Sequence, residues 1–587
     1  MEYFSFLFEE ESKPEISSIV DDTNINIFKL PITYLENKKR LSDNIYTDLE
    51  LIESADSSNC LYDYVFDGDN VLGKQMRNMW SEYYTTNEDF LKDSQKFYSE
   101  INITETNDSI TSKKILDAYL RFVNNSQFKS EFDYIEWKYL EFCNHNTFFL
   151  QTLCIYNMSA PILSLIMPII MLIIPFLILK LQGIEINIKE YTEILQKLIN
   201  NALIGQMFKL HTMAPDKAFY TICSFGFYIF QIYQNINHCY RFNKNLIVIN
   251  ETLIGIREYN KITIKNMEMV LIHTEHLKTY SNFHKTVALK LEYLKELNED
   301  LEYVEAYKFN IRKIIDIGYV MKYFYKVFQQ KEYIELIIYS LGFNGYISNI
   351  LDIKSNIKLS FMNKAKFKKN KLKFKGAFYA PLKDTNKVKN DYNLKDNMLI
   401  TGPNAAGKTT LLKTTLFNLI LVQQVGYGFF KEAIIEPYTH FHCYLNIPDT
   451  SGRDSLFQAE ARRCKDILQH IQQYNKKDRH FCIFDELYSG TNPYEAVASA
   501  YAYLLYIINN HKNFRFMITT HYLELCDKLK SKINNSHMEV LKNEDNFRYT
   551  YLVKKGTSSV KGGLKVLSDL EYPIDIINKA NDYLNKK

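Results

Sequence analysis

The sequence predicts a multidomain chain of α and α/β regions, with a phosphate-loop α/β domain at its carboxyl end and a transmembrane segment before a long helical stretch. Three observations carry this. A glycine-bracketed run, Gly402 to Thr409, sits between a short apolar strand and a helix-like stretch. Apolar residues recur at helical spacing within residues 241–360, as at Leu291, Leu294 and Leu297 and at Ile311, Ile314 and Ile315. The segment Ala160 to Leu179 is apolar and uncharged, and about 20 such residues cover a hydrocarbon core. With 587 residues, the chain has length for about three or four domains.

The loop reads Gly402-Pro403-Asn404-Ala405-Ala406-Gly407-Lys408-Thr409 and matches the phosphate-loop pattern in full. Asn397 to Thr401 precede it as a strand, and Thr410 to Leu421 follow it as a helix. Glycines let the backbone curl its N–H groups toward phosphate oxygens, and the helix adds its positive end. Lys408 can reach the β- and γ-phosphates, and the Thr409 hydroxyl can hold Mg²⁺. A chance Gly-Lys turn would lack downstream partners, and here they are present. His480 to Phe484 reads as a buried strand ending in Asp485-Glu486. Asp485 is placed to hold the metal, directly or through water, and Glu486 to polarise an attacking water. A third strand, Phe514 to Thr520, delivers His521 to its tip, within reach of the γ-phosphate or the water. Lys408, Glu486 and His521 are therefore the candidate catalytic groups. Standing alone, an Asp-Glu pair is usually a solvated strand end and a strand-end histidine usually structural.

Five segments in order resemble the MutS family of ABC-type ATPases. They are Thr401 to Thr410, Gln423-Gln424-Val425-Gly426, Ser455-Leu456-Phe457-Gln458-Ala459-Glu460, Asp485 to Asn492 and Thr519-Thr520-His521-Tyr522-Leu523-Glu524-Leu525. A tail from Gly562 to Leu584 resembles the helix-turn-helix that follows the ATPase core and helps it dimerise. The resemblance covers roughly residues 365–587. It implies an ABC-type ATPase domain preceded by a helical lever, with ATP and Mg²⁺ as cofactors. It further implies two such domains paired head to tail as a homodimer or heterodimer, each ATP held at the seam. Gln424 would sense Mg²⁺ and γ-phosphate, Ser455 would reach the partner's γ-phosphate, and Asn492 would line the seam. Binding of DNA, mismatched DNA in particular, is implied in the same way. The sequence departs from the family at the base site, where Lys387-Val388-Lys389-Asn390-Asp391 replaces an aromatic-led run and Tyr392 is the available substitute. Ala405 and Ala406 stand where the family has glycines. Phe8-Glu9-Glu10 fits a mismatch-wedge pattern of three letters, a match too short to carry a reader domain.

Bulk properties bound the rest. A net charge of +3 does not announce a nucleic-acid binder. Nine cysteines without a CxxC pair read as reduced thiols. The start Met1-Glu2-Tyr3-Phe4 lacks the basic and apolar regions of a cleaved signal. In Ala160 to Leu179, Pro161, Pro168 and Pro175 would each weaken a soluble helix by about 3 kcal/mol, whereas membrane helices tolerate proline. A weaker aromatic segment, Ala218 to Gln234, reads as a second span, an interfacial helix or a core helix. One span would put the amino-terminal region and the ATPase on opposite sides, and two would put them on the same side.

The expected organisation is a mostly helical amino-terminal region at 1–145, an apolar membrane region at 146–240, a helical lever at 241–364 and the ATPase with its dimerisation helices at 365–587. Asn87 is placed to cap a helix before Phe90 and Leu91. Lysines alternate from Lys364 to Lys375 as on one face of a strand, either solvated or facing phosphate of DNA or anionic lipid. The function expected is a membrane-held ATPase switch with its ATPase domain in the cytosol and DNA as a ligand by resemblance. The alternative is a membrane transducer or scaffold without DNA. A transporter subunit is disfavoured because no Leu-Ser-Gly-Gly-Gln signature occurs.

Overall fold

The computed structural model describes residues 27–585 except 55–58, 104–105, 184–187, 202, 307–315, 386, 446, 448–454, 544–545, 559, 561–566 and 569. The wedge-like Phe8-Glu9-Glu10 and the isoleucines Ile311, Ile314 and Ile315 lie outside the described residues. The chain forms two compact units, one of residues up to Ser109, Ile262–Glu292 and Ile338–Lys587, the other of Ile110–Lys261 and Tyr293–Ile337. The linear division at 145, 240 and 364 is therefore not the division of the packed chain.

The first unit holds thirteen strands among its described residues. β1 (Lys38–Arg40) and β2 (Tyr83–Thr85) make a small antiparallel pair. β3 (Asn363–Phe367), β4 (Lys373–Ala377), β5 (Asn390–Asn393), β7 (Tyr427–Gly428) and β8 (Glu432–Ile435) form a five-stranded sheet of order β5-β4-β8-β3-β7. β6 (Met398–Thr401), β9 (His440–Tyr444), β10 (His480–Asp485), β11 (Phe514–Thr519), β12 (Asn534–Asn543) and β13 (Asn546–Lys555) form the other, of order β13-β12-β6-β11-β10-β9. All neighbours in it run parallel except the β12–β13 hairpin. Phe481 to Phe484 are wholly buried, as a parallel strand covered on both faces must be. The helices Leu456–Gln473 and Pro493–Asn510 pack a core that includes Cys464, Ile467, Ala500 and Leu504 against it.

The lysine alternation falls on two strands, β3 and β4, where the sequence suggested one. Lys364, Lys366, Lys373 and Lys375 are exposed while Ala365 and Phe374 between them are buried. Asn87 caps Glu88–Glu100, accepting from Asp89 N and Phe90 N at 3.1 Å each. Helix Lys408–Val425 is buried along almost its whole length. Its end is clamped by amino-terminal residues. Gln423 Nε2 donates to the Thr85 carbonyl at 3.1 Å, and Gln95 Nε2 donates to the Gly426 carbonyl at 2.7 Å. Gly426 caps that helix at φ 79°, and a Cβ there would lie 2.8 Å from the Leu91 carbonyl oxygen.

The second unit is helical around an aromatic core. Phe122 meets Phe132, Phe324 and Phe328 edge-on at 5.0–5.6 Å. Helix Thr147–Leu181 begins at Asn146, whose side chain accepts from Phe149 N. Gly318 lets the helix Ile317–Gln329 press against that first turn, since a Cβ there would lie 2.5 Å from the Thr147 oxygen. Among the described residues one helix is long and apolar enough to cross a membrane, over Thr147–Ile170. It starts earlier than the expected 160–179 because the Asn146 cap, not the apolar run, sets its beginning. The 218–234 segment lies inside the helix Pro215–Thr274.

The two glycines make a matched test. Gly426→Ala places a side chain in the left-handed region against backbone and lowers stability by about 1–3 kcal/mol. Gly255→Ala, where a Cβ meets only Ile115 Cδ1 at 3.7 Å inside a helix, raises it by about 0.5–1 kcal/mol. Thermal denaturation of the two variants reads opposite shifts.

Candidate functional site

The loop joins β6 to the helix Lys408–Val425 through three left-handed residues, Gly402 (φ 154°), Ala405 (φ 62°) and Gly407 (φ 90°). Side chains stand close over both glycines. A Cβ at Gly402 would lie 3.3 Å from Met538 Cβ, and one at Gly407 would lie 3.2 Å from the Tyr551 ring. Lys408 is buried, and its Nζ donates to the Gly402 carbonyl at 3.0 Å and the Pro403 carbonyl at 3.4 Å. Burial pushes its pKa down, and Glu486 and Asp485 oppose that shift.

The carboxylates converge on this lysine. Asp485 Oδ2 accepts from the Thr409 hydroxyl at 2.7 Å, and its Oδ1 accepts from the Thr519 hydroxyl. Thr519 Oγ1 in turn accepts from Glu486 N at 3.1 Å. Glu486 Oε1 lies 3.7 Å from Lys408 Nζ and 2.8 Å from His521 Nε2. His521 Nε2 is also 3.0 Å from Lys408 Nζ. One ring nitrogen cannot donate to Glu486 and accept from Lys408 at once. The consistent assignment has Nε2–H donating to Glu486 and the lysine protons going to the two loop carbonyls. The His521 hydrogen bond is then the main reason that the Glu486 pKa is lowered. Glu486 itself has φ 51°, a strained conformation that this network holds.

A cleft of about 620 Å³ opens along the loop. Residues Pro403 to Thr410, with Glu486, line one side, and Phe378, Tyr379, Val388, Met538 and Tyr551 line another. Tyr392 does not reach it. Its ring is buried and its hydroxyl pairs with Thr415 Oγ1 at 2.9 Å, beneath the wall. Tyr551 reaches the cleft by a bulge, since Met538 pairs with Val553 and Val540 with Tyr549, leaving Glu539 opposite three residues. Asn390 holds the bulge, donating to the Tyr551 carbonyl at 3.0 Å and accepting from Val553 N at 2.7 Å. No local spacing marks Tyr379 or Tyr551 as wall residues.

Three expected residues lie elsewhere. Gln424 is buried at the far end of the loop helix. Its Oε1 accepts from the Tyr62 hydroxyl at 2.7 Å and its Nε2 donates to the Trp80 and Tyr83 carbonyls. Its hydrogen-bonding groups are engaged, so the structure assigns it to packing and not to the cleft. Ser455 caps the helix Leu456–Gln473 in a reciprocal box with Gln458. Asn492 caps Pro493–Asn510, accepting from Glu495 N at 3.0 Å. Neither lines the cleft of its own chain.

The family model described as MutS domain V matches residues 398–586. The likeness to the MutS family rests on this carboxyl-terminal segment. It is 31% identical over 201 residues to MutS protein homolog 4 of Mus musculus, covering 32% of this chain and 20% of that protein. It is 26% identical over 194 residues to the DNA mismatch repair protein MutS of Geobacillus sp. (strain WCH70), covering 32% and 22%. It is 30% identical over 193 residues to the Bacteroides fragilis DNA mismatch repair protein MutS, again covering 32% and 22%. The chain thus spans about a fifth of the length of these curated relatives.

In the segment that matches MutS domain V, Glu460 ties the helix capped by Ser455 to the loop that leads to Asn492. It is buried, and it accepts from Ser489 N at 3.0 Å, Ser489 Oγ at 2.9 Å and Gly490 N at 3.1 Å. Gly490 is needed there because a Cβ would lie 2.8 Å from Leu456 Cγ and Phe457 N. A signal for Glu460 was present: it falls on the buried stripe Glu460, Cys464, Ile467 and Ile471 of its helix, and a carboxylate on such a stripe needs dedicated donors. Glu460→Ala strands two backbone donors and lowers stability by about 2–4 kcal/mol, whereas Glu460→Gln keeps an acceptor and loses about half of that. Thermal denaturation ranks the two.

Proposed function

We propose that the MutS domain V binds ATP with Mg²⁺ in the cleft and hydrolyses it as a conformational switch. The observation that carries the reading is the 2.7 Å bond between Thr409 and Asp485 beside the Lys408–Glu486–His521 group. The donors fit the metal: a hydroxyl and a carboxylate oxygen on adjacent elements are the hard ligands that Mg²⁺ takes alongside phosphate oxygens. When bound, Mg²⁺ neutralises charge on the β- and γ-phosphates. The residues do the rest. The loop N–H groups from Gly402 to Thr410 cradle the phosphates, and Lys408 exchanges its two carbonyl partners for phosphate oxygens. Glu486 polarises the water, held in place and kept ionised by His521. Phe378, Tyr379 and Tyr551 offer apolar surface for the base. Ser455 and Asn492, which do not line the cleft of their own chain, would complete a second copy's site in a head-to-tail pair.

Relatives named as DNA mismatch repair proteins support mismatched DNA as the ligand of the switch. The exposed apolar residues of Thr147–Leu181, among them Ile162, Leu165 and Ile169, favour a second reading, a membrane-anchored transducer without DNA. Both place the MutS domain V in the cytosol, where ATP is. The whole chain is the proper test object, because removing the amino-terminal residues would remove Tyr62, Gln95 and the clamp on the loop helix. Salt-sensitive, nucleotide-dependent binding of mismatched duplex supports the repair reading. Intact ATPase activity without duplex binding at low salt leaves the transducer.

The catalytic roles predict a pH profile. Glu486→Gln lowers kcat by about 10²-fold or more with little change in KM. Glu486 works ionised and its pKa is lowered, so activity holds above that value and is lost as pH falls through it. His521→Ala removes the main cause of the lowering and moves the acidic limb of kcat/KM to higher pH. An unmoved limb in that variant would exclude His521 from holding Glu486.

A further inference from the structure

We propose that the apolar part of the chain is a hairpin of two crossings that enters a bilayer and returns, leaving the amino-terminal region and the MutS domain V on the same side. The proposal rests on the membrane reading above and supplies its topology.

The first argument is the composition of the first unit. It contains residues before and after the apolar part, including Ile262–Glu292. They share one buried core. Trp80 Nε1 donates to Asn349 Oδ1 at 3.0 Å, Tyr62 to Gln424 at 2.7 Å, and Lys383 Nζ to Asp67 Oδ2 at 2.6 Å and to the Tyr64 carbonyl at 2.8 Å. A hydrocarbon layer of about 30 Å cannot pass through such a core. Any crossings made by residues 110–261 are therefore even in number.

The second argument is that this stretch holds two uncharged runs of spanning length, of which the first alone is apolar enough to cross a membrane by composition. No Asp, Glu, Lys or Arg occurs at 142–179 or at 218–240. Both runs are helical, within Thr147–Leu181 and Pro215–Thr274. Both carry large apolar side chains outward, with Ile162 at 60% exposed and Phe227 at 75%. The second run is the less apolar of the two, and its exposed Phe219, Tyr220, Phe227, Phe230 and Tyr233 supply aromatic surface.

The third argument is that the two runs are hydrogen-bonded to each other as antiparallel partners. The Tyr228 hydroxyl donates to the Ser164 carbonyl at 3.0 Å, and Cys239 Sγ approaches the Met158 carbonyl at 3.6 Å. Ser164 is four residues before Pro168, which has no N–H to give it. In hydrocarbon a carbonyl released in this way must find a donor within the protein. Tyr228, on the returning arm, is that donor.

The test uses the full chain with Cys143→Ser, Cys223→Ser and Cys239→Ser, which leaves only buried native cysteines. Single reporters are Lys92→Cys, Lys197→Cys and Lys528→Cys, all at exposed positions. Each protein is reconstituted into sealed phosphatidylcholine vesicles and treated outside with a maleimide-polyethylene glycol. Flotation after carbonate washing is read first, and a chain that does not float overturns the membrane reading itself. For a chain that floats, equal labelled fractions at 92 and 528, with the complementary fraction at 197, are expected. Complementary fractions at 92 and 528 mean one crossing, and equal fractions at all three mean none. Either overturns the hairpin while leaving the anchor standing.

Discussion

The Asp485 carboxylate takes a hydrogen bond from each side, from Thr409 at the head of the loop helix and from Thr519 on β11. The strand order makes this necessary. β11 lies between β6, which carries the loop, and β10, which carries Asp485. Adjacent strands are about 4.8 Å apart, so loop and carboxylate are separated by two such steps. Thr519 occupies the gap, in register with Asp485 on one side and Ile400 on the other. Its hydroxyl binds Asp485 and accepts from Glu486 N, so one threonine sets both acidic residues relative to the loop. His521 follows two residues later and closes the group onto Glu486.

Charge balance around Lys408 follows from that arrangement. A buried ammonium is stable only among close acceptors. Here it has two loop carbonyls, with the Glu486 carboxylate at 3.7 Å. These are contacts that phosphate oxygens can replace without leaving the lysine unpaired at any stage. The same logic recurs at Glu460, where a buried anion is matched by three donors from the loop that leads to Asn492. Buried charge is thus used twice, once beside the Gly402–Thr409 loop and once beneath the loop that leads to Asn492.

The parts of the site that sequence revealed are those built from local geometry. A loop between strand and helix, an acidic pair at a strand end and a histidine at the next strand tip each announce themselves within about ten residues. What sequence concealed depends on distant partners. Gln424 has the composition of a sensor, but Tyr62, Trp80 and Tyr83, more than 300 positions away, occupy it. Tyr392 has the chemistry of a base-stacking residue, but the alternation of β5 turns it into the core, while a bulge in β13 brings Tyr551 to the cleft instead. The grouping of the chain into two discontinuous compact units was concealed for the same reason. Composition changes at the apolar region, yet the amino-terminal residues pack with the carboxyl-terminal ones on either side of it.

That return of the chain also gives the prolines a reading that periodicity alone did not. Pro161 and Pro168 sit within an unbroken helix, Thr147–Leu181. In water a freed carbonyl could bind solvent, and no particular partner would be required. The Ser164 carbonyl instead has the Tyr228 hydroxyl, from a helix that reaches it only by doubling back. A donor supplied from 64 residues away at a proline-freed position is a device suited to a medium without water. The same bond fixes which faces of the two helices meet, and therefore which apolar residues are left facing outward.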